Sequence, residues 1–111
     1  MPIYKILRPD EWAAFEADGG FAGSALDLTD GFVHCSSREQ VAATALRYFG
    51  EDGPLVVLEL DDEALGDAVR WEPSVDGARF PHVYRGLTRG DVLAVHHAPD
   101  AAAVPGAISP R

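Results

Sequence analysis

The chain has 111 residues, 47% of them hydrophobic, and a formal net charge of -9 at pH 7; these values predict one globular domain rather than a disordered or fibrous chain. The negative charge disfavours general nucleic-acid binding, because phosphate contacts need a high density of cations. No apolar run approaches the roughly 20 residues that cross a bilayer, and no signal-peptide segment opens the chain, so we expect a cytoplasmic protein without a membrane partner.

The first half of the chain has the pattern of two strands and two helices. Ile3–Leu7 is short and rich in strand formers, and Pro9 suits the first turn of a helix. Ser37 and Gln40 have the spacing of a helix-capping box. The predicted elements are, in order, a strand at Ile3–Leu7, a helix from Pro9 that Asp18-Gly19-Gly20 ends, an irregular loop up to Gly31, a strand at Phe32–Cys35 and a helix from Ser37 that Gly50 ends.

The second half of the chain is richer in strands. The apolar run Leu55–Leu60 is typical of a central strand, whereas Pro81 limits Phe80–Tyr84 to a loop or an edge strand. The other predicted elements are a helical turn at Asp61–Leu65, a strand at Ala68–Glu72 and a last strand at Asp91–His97. Early helices and late strands favour the α+β class. We expect residues 1–98 to form a single domain and residues 99–111 a loosely ordered tail.

The segment GFVHCSS contains a histidine, His34, in the middle of a predicted strand. On a strand, Phe32, His34 and Ser36 share one face and Cys35 lies on the other. If Cys35 is a buried, inert thiol, His34 faces either solvent or a cleft. Strand geometry alone favours a structural histidine, and Ser36 has a competing explanation as the residue that enters the next helix.

Two further groups in the second half carry polar side chains in a strand context. Arg70 and Glu72 share one face of their predicted strand, where such a pair is usually a solvated ion pair of small energetic value. His82 and Tyr84 follow Pro81, which fixes the local backbone. The glycines match neither the Rossmann pattern nor the P-loop pattern.

The ordered set of motifs resembles one known family. "IY-x-I", "DGFVHCS", "LVVLELD", "VRWE" and "FPHVY-x-G-L" follow one another over residues 3 to about 95, and this set resembles the bacterial domain of unknown function 952 family. The resemblance implies a small split β-sheet with two helices, similar to the fold of ADP-ribosyltransferases, whose cleft binds NAD. The step from strand to helix at "VHCSS" is also similar to that of RNA 2′-phosphotransferases.

The resemblance implies roles for seven residues of this cleft. Cleavage of the nicotinamide–ribose bond develops positive charge on the sugar, so the site must hold a pyrophosphate, fix the ribose and stabilise a cation. The implied catalytic residues are His34 and Glu72, and the implied ligand-binding residues are Lys5 and Arg70 for phosphates, Ser36 and His82 (with His34) for ribose hydroxyls, and Tyr84 for stacking.

Two departures from the family pattern leave the function open. Lys5 stands where a histidine is expected after the first-strand tyrosine, and the last strand, DVLAVHH, lacks the glutamate that many ADP-ribosyltransferases use. The chain is therefore an enzyme of ADP-ribosyl or related group transfer, a non-catalytic nucleotide-binding module, or a structural or regulatory protein without a ligand. The resemblance implies NAD as a substrate, with no firmly implied cofactor, and a small-molecule nucleotide as the binding partner. The oligomeric state stays open. No metal site is expected, because the adjacent His96 and His97 point to opposite strand faces.

Overall fold

Eight strands and five α-helices make up the described part of the chain, residues 1–74 and 76–108 of a computed structural model. The strands form separate antiparallel sheets, which confirms the α+β class. We predicted two helices and one helical turn at Asp61–Leu65; that turn forms as a short helix, and two further short helices were not predicted. The elements are β1 (Ile3–Leu7), α1 (Pro9–Asp18), β2 (Gly20–Phe21), α2 (Ala25–Asp30), β3 (Val33–His34), α3 (Val41–Phe49), β4 (Leu55–Leu60), α4 (Asp62–Leu65), β5 (Val69–Pro73), β6 (Arg79–Val83), β7 (Leu87–Thr88), β8 (Val92–Ala98) and α5 (Val104–Ala107).

The first sheet, with strand order β1-β4-β8, lies between two apolar layers. The central position of β4 confirms the prediction for Leu55–Leu60. One layer contains Phe15 and Val33, and the other contains Val41 and Val104. Burial of each large apolar side chain contributes about 1.5–3 kcal/mol. This sheet and its two layers therefore form the main core of the fold.

The second sheet, with strand order β3-β6-β5, corrects the prediction for Phe80–Tyr84. We expected a loop or an edge strand, but β6 is the middle strand of this sheet. Pro81 has no N–H to donate, yet its carbonyl accepts the N–H of Cys35 at 3.1 Å. Val83 pairs with Val33, and both side chains are fully buried. The free energy gained by burying this apolar face against the core exceeds the cost of the one hydrogen bond that proline cannot donate.

The segment from Gly20 to Gly31 is ordered, whereas we predicted an irregular loop. Strand β2 pairs with β7, and helix α2 follows it. The N–H of Asp27 donates to Ser24 Oγ at 3.2 Å, and the N–H of Ser24 donates to Asp27 Oδ2 at 2.8 Å. Gly31 ends the helix with a φ of 87°, a left-handed conformation that glycine adopts without strain. A capping box at Ser24 and Asp27 therefore starts this helix.

The capping bonds predicted around Ser37 form, but the helix begins later. The N–H of Ser37 donates to Gln40 Oε1 at 2.9 Å, and the N–H of Gln40 donates to Ser37 Oγ at 3.2 Å. These bonds hold a turn, and α3 itself begins at Val41. The prediction placed the start of the helix one turn too early.

The chain packs against the core up to Ile108, whereas we expected a loosely ordered tail after residue 98. Ala101, Val104 and Ile108 are buried beside α3 and the first sheet. The guanidinium of Arg38 donates to the carbonyl of Ile108 at 2.7 Å. Small apolar residues let this segment lie close to α3, so residues 101–108 belong to the packed structure. The rest of the predicted tail, residues 109–111, lies outside the described residues.

Candidate functional site

A cleft of about 590 Å³ is lined by residues of β1, α2, β3, α3 and β6. Four of the seven predicted site residues line it, namely Lys5, His34, Ser36 and His82. The other three connect to it through His82, as described below. The structure therefore brings the predicted residues of three distant segments to one place.

A buried carboxylate, Asp27, organises the floor of the cleft, and the sequence analysis missed it. Its Oδ2 accepts from the ammonium of Lys5 at 2.9 Å, and its Oδ1 accepts from the N–H of His34 at 3.0 Å. His34 Nδ1 lies 2.7 Å from the same Oδ1. Asp30, one helical turn further along α2, lies 3.0 Å from His34 Nε2 through its Oδ2. We call Lys5, Asp27, Asp30 and His34 the Asp27 cluster.

The charge of Asp27 follows from these contacts. Burial of the carboxyl group raises its pKa, but the His34 hydrogen bond, the Lys5 ammonium and backbone N–H groups outweigh burial, so the net pKa lies well below the usual aspartate range. Asp27 is therefore an anion that can accept hydrogen bonds but cannot donate them. Because His34 Nδ1 lies against it, this nitrogen carries a proton. Both ring nitrogens of His34 can donate, to Asp27 and to Asp30, only in the cationic form of the ring.

A second group, the Glu72 cluster, consists of Arg70, Glu72, His82 and Tyr84. Glu72 Oε1 lies 2.7 Å from His82 Nδ1 and accepts from the hydroxyl of Tyr84 at 2.6 Å. The Tyr84 hydroxyl and His82 lower the pKa of Glu72, and Glu72 in turn raises the pKa of Tyr84. The guanidinium of Arg70 lies 4.8 Å from the centre of the Tyr84 ring. Glu72 is thus a carboxylate that orients His82.

Phe32 joins the two clusters. Its ring stacks on His82 with centroids 4.0 Å apart and lies 4.5 Å from His34. The two histidine rings are 5.7 Å apart, because His34 and His82 are paired residues on β3 and β6. Arg70 pairs with His82 from the other side, so one face of the second sheet carries His34, His82 and Arg70 in a row.

Two predicted ligand-binding residues are engaged within the protein. The Lys5 ammonium, with its side chain 6% exposed, donates to Asp27 and also to the carbonyl of His34 at 3.0 Å. Ser36 is buried, and its Oγ donates a hydrogen bond to Thr44 Oγ1 at 3.1 Å. Its backbone forms an antiparallel β-bridge with Tyr4. Both residues touch the cleft while holding its wall together. Their contacts with phosphate and ribose stay predictions.

The thiol of Cys35 lies beside this site without the properties of a nucleophile. Burial raises its pKa to about 12, and the nearby charges of Lys5 and Asp27 act in opposite directions. A thiol is a weak nucleophile until it ionises. Cys35 therefore serves as a core residue at the edge of the cleft.

Two properties of the described residues bear on partners. Among residues 1–74 and 76–108, no helix has the length and apolar character that crossing a membrane requires. Over the same residues, histidine, cysteine, aspartate and glutamate side chains form no group of three or more that could hold a metal ion.

Comparison with known proteins relates the chain to one family. The family described as "Protein of unknown function (DUF952)" matches residues 6–95. Three solved structures of protein CC0527 from Caulobacter crescentus are similar to this chain. Its X-ray structure is 47% identical, with a TM-score of 0.81, and the match covers 88% of this chain and 84% of that one.

The two other structures give closely similar values. The X-ray structure of a double mutant of CC0527 is 46% identical, with a TM-score of 0.81, and the match covers 88% of this chain and 84% of that one. The solution NMR structure is 47% identical, with a TM-score of 0.76, and the match covers 88% and 83%. Comparison with curated proteins found no match.

Proposed function

The chain belongs to the DUF952 family, whose function is unknown, and we propose that it binds a nucleotide such as NAD or ADP-ribose in its cleft. We further propose that it transfers an ADP-ribosyl or related group in the cytoplasm. One observation carries the proposal. Two histidines 5.7 Å apart, each held by a carboxylate, line a cleft of about 590 Å³. That volume lies in the range of small-molecule sites.

The Asp27 cluster suits the recognition of a ribose. His34 and Asp30 provide a donor and an acceptor side by side, which is the pairing that neighbouring sugar hydroxyls require. His82 adds a third polar group 5.7 Å from His34. Because the buried Asp27 fixes His34, these groups are oriented before a ligand arrives, which lowers the entropic cost of binding.

The cation best placed to meet a phosphate is Arg8. It lines the cleft, is half-exposed, and pairs with Asp52 at 2.8 Å. A surface ion pair of this kind contributes little, so a phosphate can replace Asp52 at small cost. Lys5 has no such freedom, and Arg70 lies against Tyr84 on the far side of His82. Aromatic side chains of the cleft, Phe49 and Phe80, offer faces for the bases.

The fold also supports the resemblance to ADP-ribosyltransferases. Two three-stranded antiparallel sheets contribute to the walls of one cleft, an arrangement consistent with the split sheet that the resemblance implies. His34 and His82 lie on the second sheet, and Lys5 lies on the first. The proposed ADP-ribosyltransferase-like fold thus agrees with the position of the site residues.

A non-catalytic nucleotide-binding module is the second candidate. Two observations favour it: the Lys5 charge is neutralised by Asp27, and the last strand β8 contributes no residue to the lining of the cleft. A module that binds a nucleotide needs only the ribose and phosphate contacts. Group transfer also needs a side chain that moves a proton or stabilises the sugar cation.

Isothermal titration with NAD, ADP-ribose and adenosine tests the proposal. The wild-type protein should bind ADP-ribose, and His34→Gln should weaken binding by about 2- to 10-fold, the loss expected for one hydrogen bond. Arg8→Gln should weaken ADP-ribose binding and leave adenosine binding unchanged. The control is His97→Gln, an exposed histidine of β8 that lies outside the cleft.

The outcomes separate the candidates. Binding of ADP-ribose that the control retains and His34→Gln weakens supports the nucleotide cleft. Release of nicotinamide from NAD then selects the enzyme, and its absence selects the binding module. If the wild-type protein binds none of the three compounds at millimolar concentration, the proposed function is wrong.

A further inference from the structure

We propose that His82, rather than His34 or Glu72, accepts the proton in this cleft, and that the group acceptor is therefore a hydroxyl, either water or an alcohol. The inference rests on the proposed function and names its acceptor class. The sequence assigned catalysis to His34 and Glu72 and gave His82 only a ribose contact. The hydrogen bonds of the three side chains lead to a different division of roles.

His82 has one ring nitrogen that a ligand can reach. Its Nδ1 lies 2.7 Å from Glu72 Oε1, and because a carboxylate only accepts, Nδ1 carries the proton. The neutral ring then has its lone pair on Nε2. Within residues 1–74 and 76–108, no group forms a hydrogen bond to this Nε2. The ring lines the cleft and is 13% exposed.

His34 and Glu72 have no comparable free lone pair at the cleft. His34 Nδ1 and Nε2 lie 2.7 Å and 3.0 Å from carboxylate oxygens of Asp27 and Asp30, which only accept, so the ring can donate but offers no lone pair to a proton. Glu72 Oε1 is shared by His82 and Tyr84, and Glu72 does not line the cleft. Glu72 is therefore a positioning residue: it fixes the tautomer and the ring orientation of His82, as carboxylates do in other histidine dyads.

The chemical step places the proton on His82 Nε2. The bond between the ribose carbon and the nicotinamide nitrogen breaks, and its electron pair leaves with neutral nicotinamide. An oxygen of the acceptor bonds to that carbon while its proton moves to Nε2, from which it passes to solvent. With water the balance is NAD⁺ + H₂O giving ADP-ribose, nicotinamide and H⁺. A hydroxyl acceptor needs such a base because its proton must leave as the new bond forms.

Phe32 makes the position of His82 compatible with this role. Its ring covers one face of the imidazole at 4.0 Å, so the ring is held by stacking on that face and by Glu72 at Nδ1. A base that is fixed in this way needs little reorganisation when the acceptor binds.

Turnover kinetics with NAD test the assignment, with binding measured separately. His82→Ala and His82→Gln should release nicotinamide about 10²- to 10⁴-fold more slowly than wild type, the range for a lost general base, with NAD affinity within about 10-fold. Added imidazole should restore part of the activity of His82→Ala and should not accelerate His34→Gln. Glu72→Gln should lower kcat with little change in KM, and His97→Gln should match wild type.

The acceptor class is read from the products. In methanol–water mixtures the wild-type protein should form methyl ADP-riboside beside ADP-ribose, detectable by mass spectrometry, and His82→Gln should form both products more slowly. Formation of neither product, with the ADP-ribosyl group transferred only to added amines, would overturn the hydroxyl assignment. Glu72→Gln provides the second test if His82 variants do not fold, because Glu72 lies outside the core.

Failure of this inference is distinguishable from failure of the proposed function. If wild type binds NAD and His82→Gln releases nicotinamide at the wild-type rate, the role of His82 is wrong and the nucleotide cleft stands. If wild type binds NAD without releasing nicotinamide, the inference is also wrong and the binding module remains. If wild type does not bind NAD or ADP-ribose, both are overturned.

Discussion

The Asp27 cluster and the Glu72 cluster use the same chemistry in two different environments. Each has a carboxylate 2.7 Å from the Nδ1 of a histidine, and both histidine rings contact the ring of Phe32. The Asp27 side chain is 1% exposed, and the Glu72 side chain is 36% exposed. Similar contacts therefore carry different energies and, we infer, different functions.

Burial and connectivity explain the difference. Asp27 is bound by Lys5 of β1, His34 of β3 and the N–H of Ser24 before α2, so it ties three segments together. Glu72 bridges only the neighbouring strands β5 and β6. A buried charge that loses its partner is costly, whereas an exposed one is solvated. The Asp27 cluster thus stabilises the fold, whereas the Glu72 cluster contributes little to its stability.

Asp27→Asn should have the largest effect on stability. It leaves the buried Lys5 ammonium without an anion, which costs about 3–5 kcal/mol of unfolding free energy. Urea unfolding followed by circular dichroism measures the loss. Asp30→Asn is the matched control, because Asp30 contacts the same histidine but is 40% exposed. Equal midpoints for the two variants would contradict the structural role of Asp27.

Acid unfolding should reveal the contribution of Asp27 to stability. The folded-state pKa of Asp27 lies well below the value of 3.8 for an unperturbed aspartate, so the unfolded chain binds a proton first as the pH falls. The stability from Asp27 is therefore fully present above about pH 5 and is lost as the pH falls through 3.8 towards the lowered pKa. The free-energy gap between wild type and Asp27→Asn should shrink below pH 3.8 by about 1.4 kcal/mol per pH unit. A gap that stays constant down to pH 2.5 would contradict this linkage.

Phe32→Leu should have an intermediate effect on both clusters. Leucine keeps apolar contact but removes the stack on His82, which is worth about 0.5–1.5 kcal/mol. The unfolding free energy should fall by about that amount, and the ring signals of both His34 and His82 should shift in NMR spectra. A shift of neither histidine would show that Phe32 does not couple the clusters.

Glu72→Gln should leave stability nearly unchanged, the smallest effect of the series. The Glu72 side chain is 36% exposed, and the oxygen of the amide that replaces it can still accept hydrogen bonds, so the urea midpoint should match that of His97→Gln. The same variant should lower turnover if His82 needs its partner. A large loss of stability would place Glu72 with Asp27 as a structural residue and remove the contrast between the clusters.

The sequence predicted the apolar part of this fold well and the polar part incompletely. Ile3–Leu7 and Leu55–Leu60 are continuous strand-forming runs, and both form as predicted. Helix α2 was missed because Leu26 and Leu28 are exposed and give no apolar face, although the capping spacing of Ser24 and Asp27 was visible. Pro81 favoured an edge strand, and pairing on both sides of β6 overrode that local preference.

The candidate site shows the same limit. Strand alternation correctly placed Arg70 and Glu72 on one face, and it put His34 on the face of Phe32. It could not show that His34 pairs with His82, because their strands lie 48 positions apart in the chain. Asp27 was overlooked for the same reason: its partner Lys5 lies on a strand 22 residues away.

The measurement that tests the central claim most directly is a titration of the protein with ADP-ribose, observed through the imidazole ring signals in NMR spectra. The chain has four histidines, of which His34 and His82 line the cleft while His96 and His97 lie on β8. We predict saturable shifts of His34 and His82, with His96 and His97 unchanged. Equal shifts of all four, or none at millimolar ADP-ribose, would contradict a nucleotide cleft lined by His34 and His82.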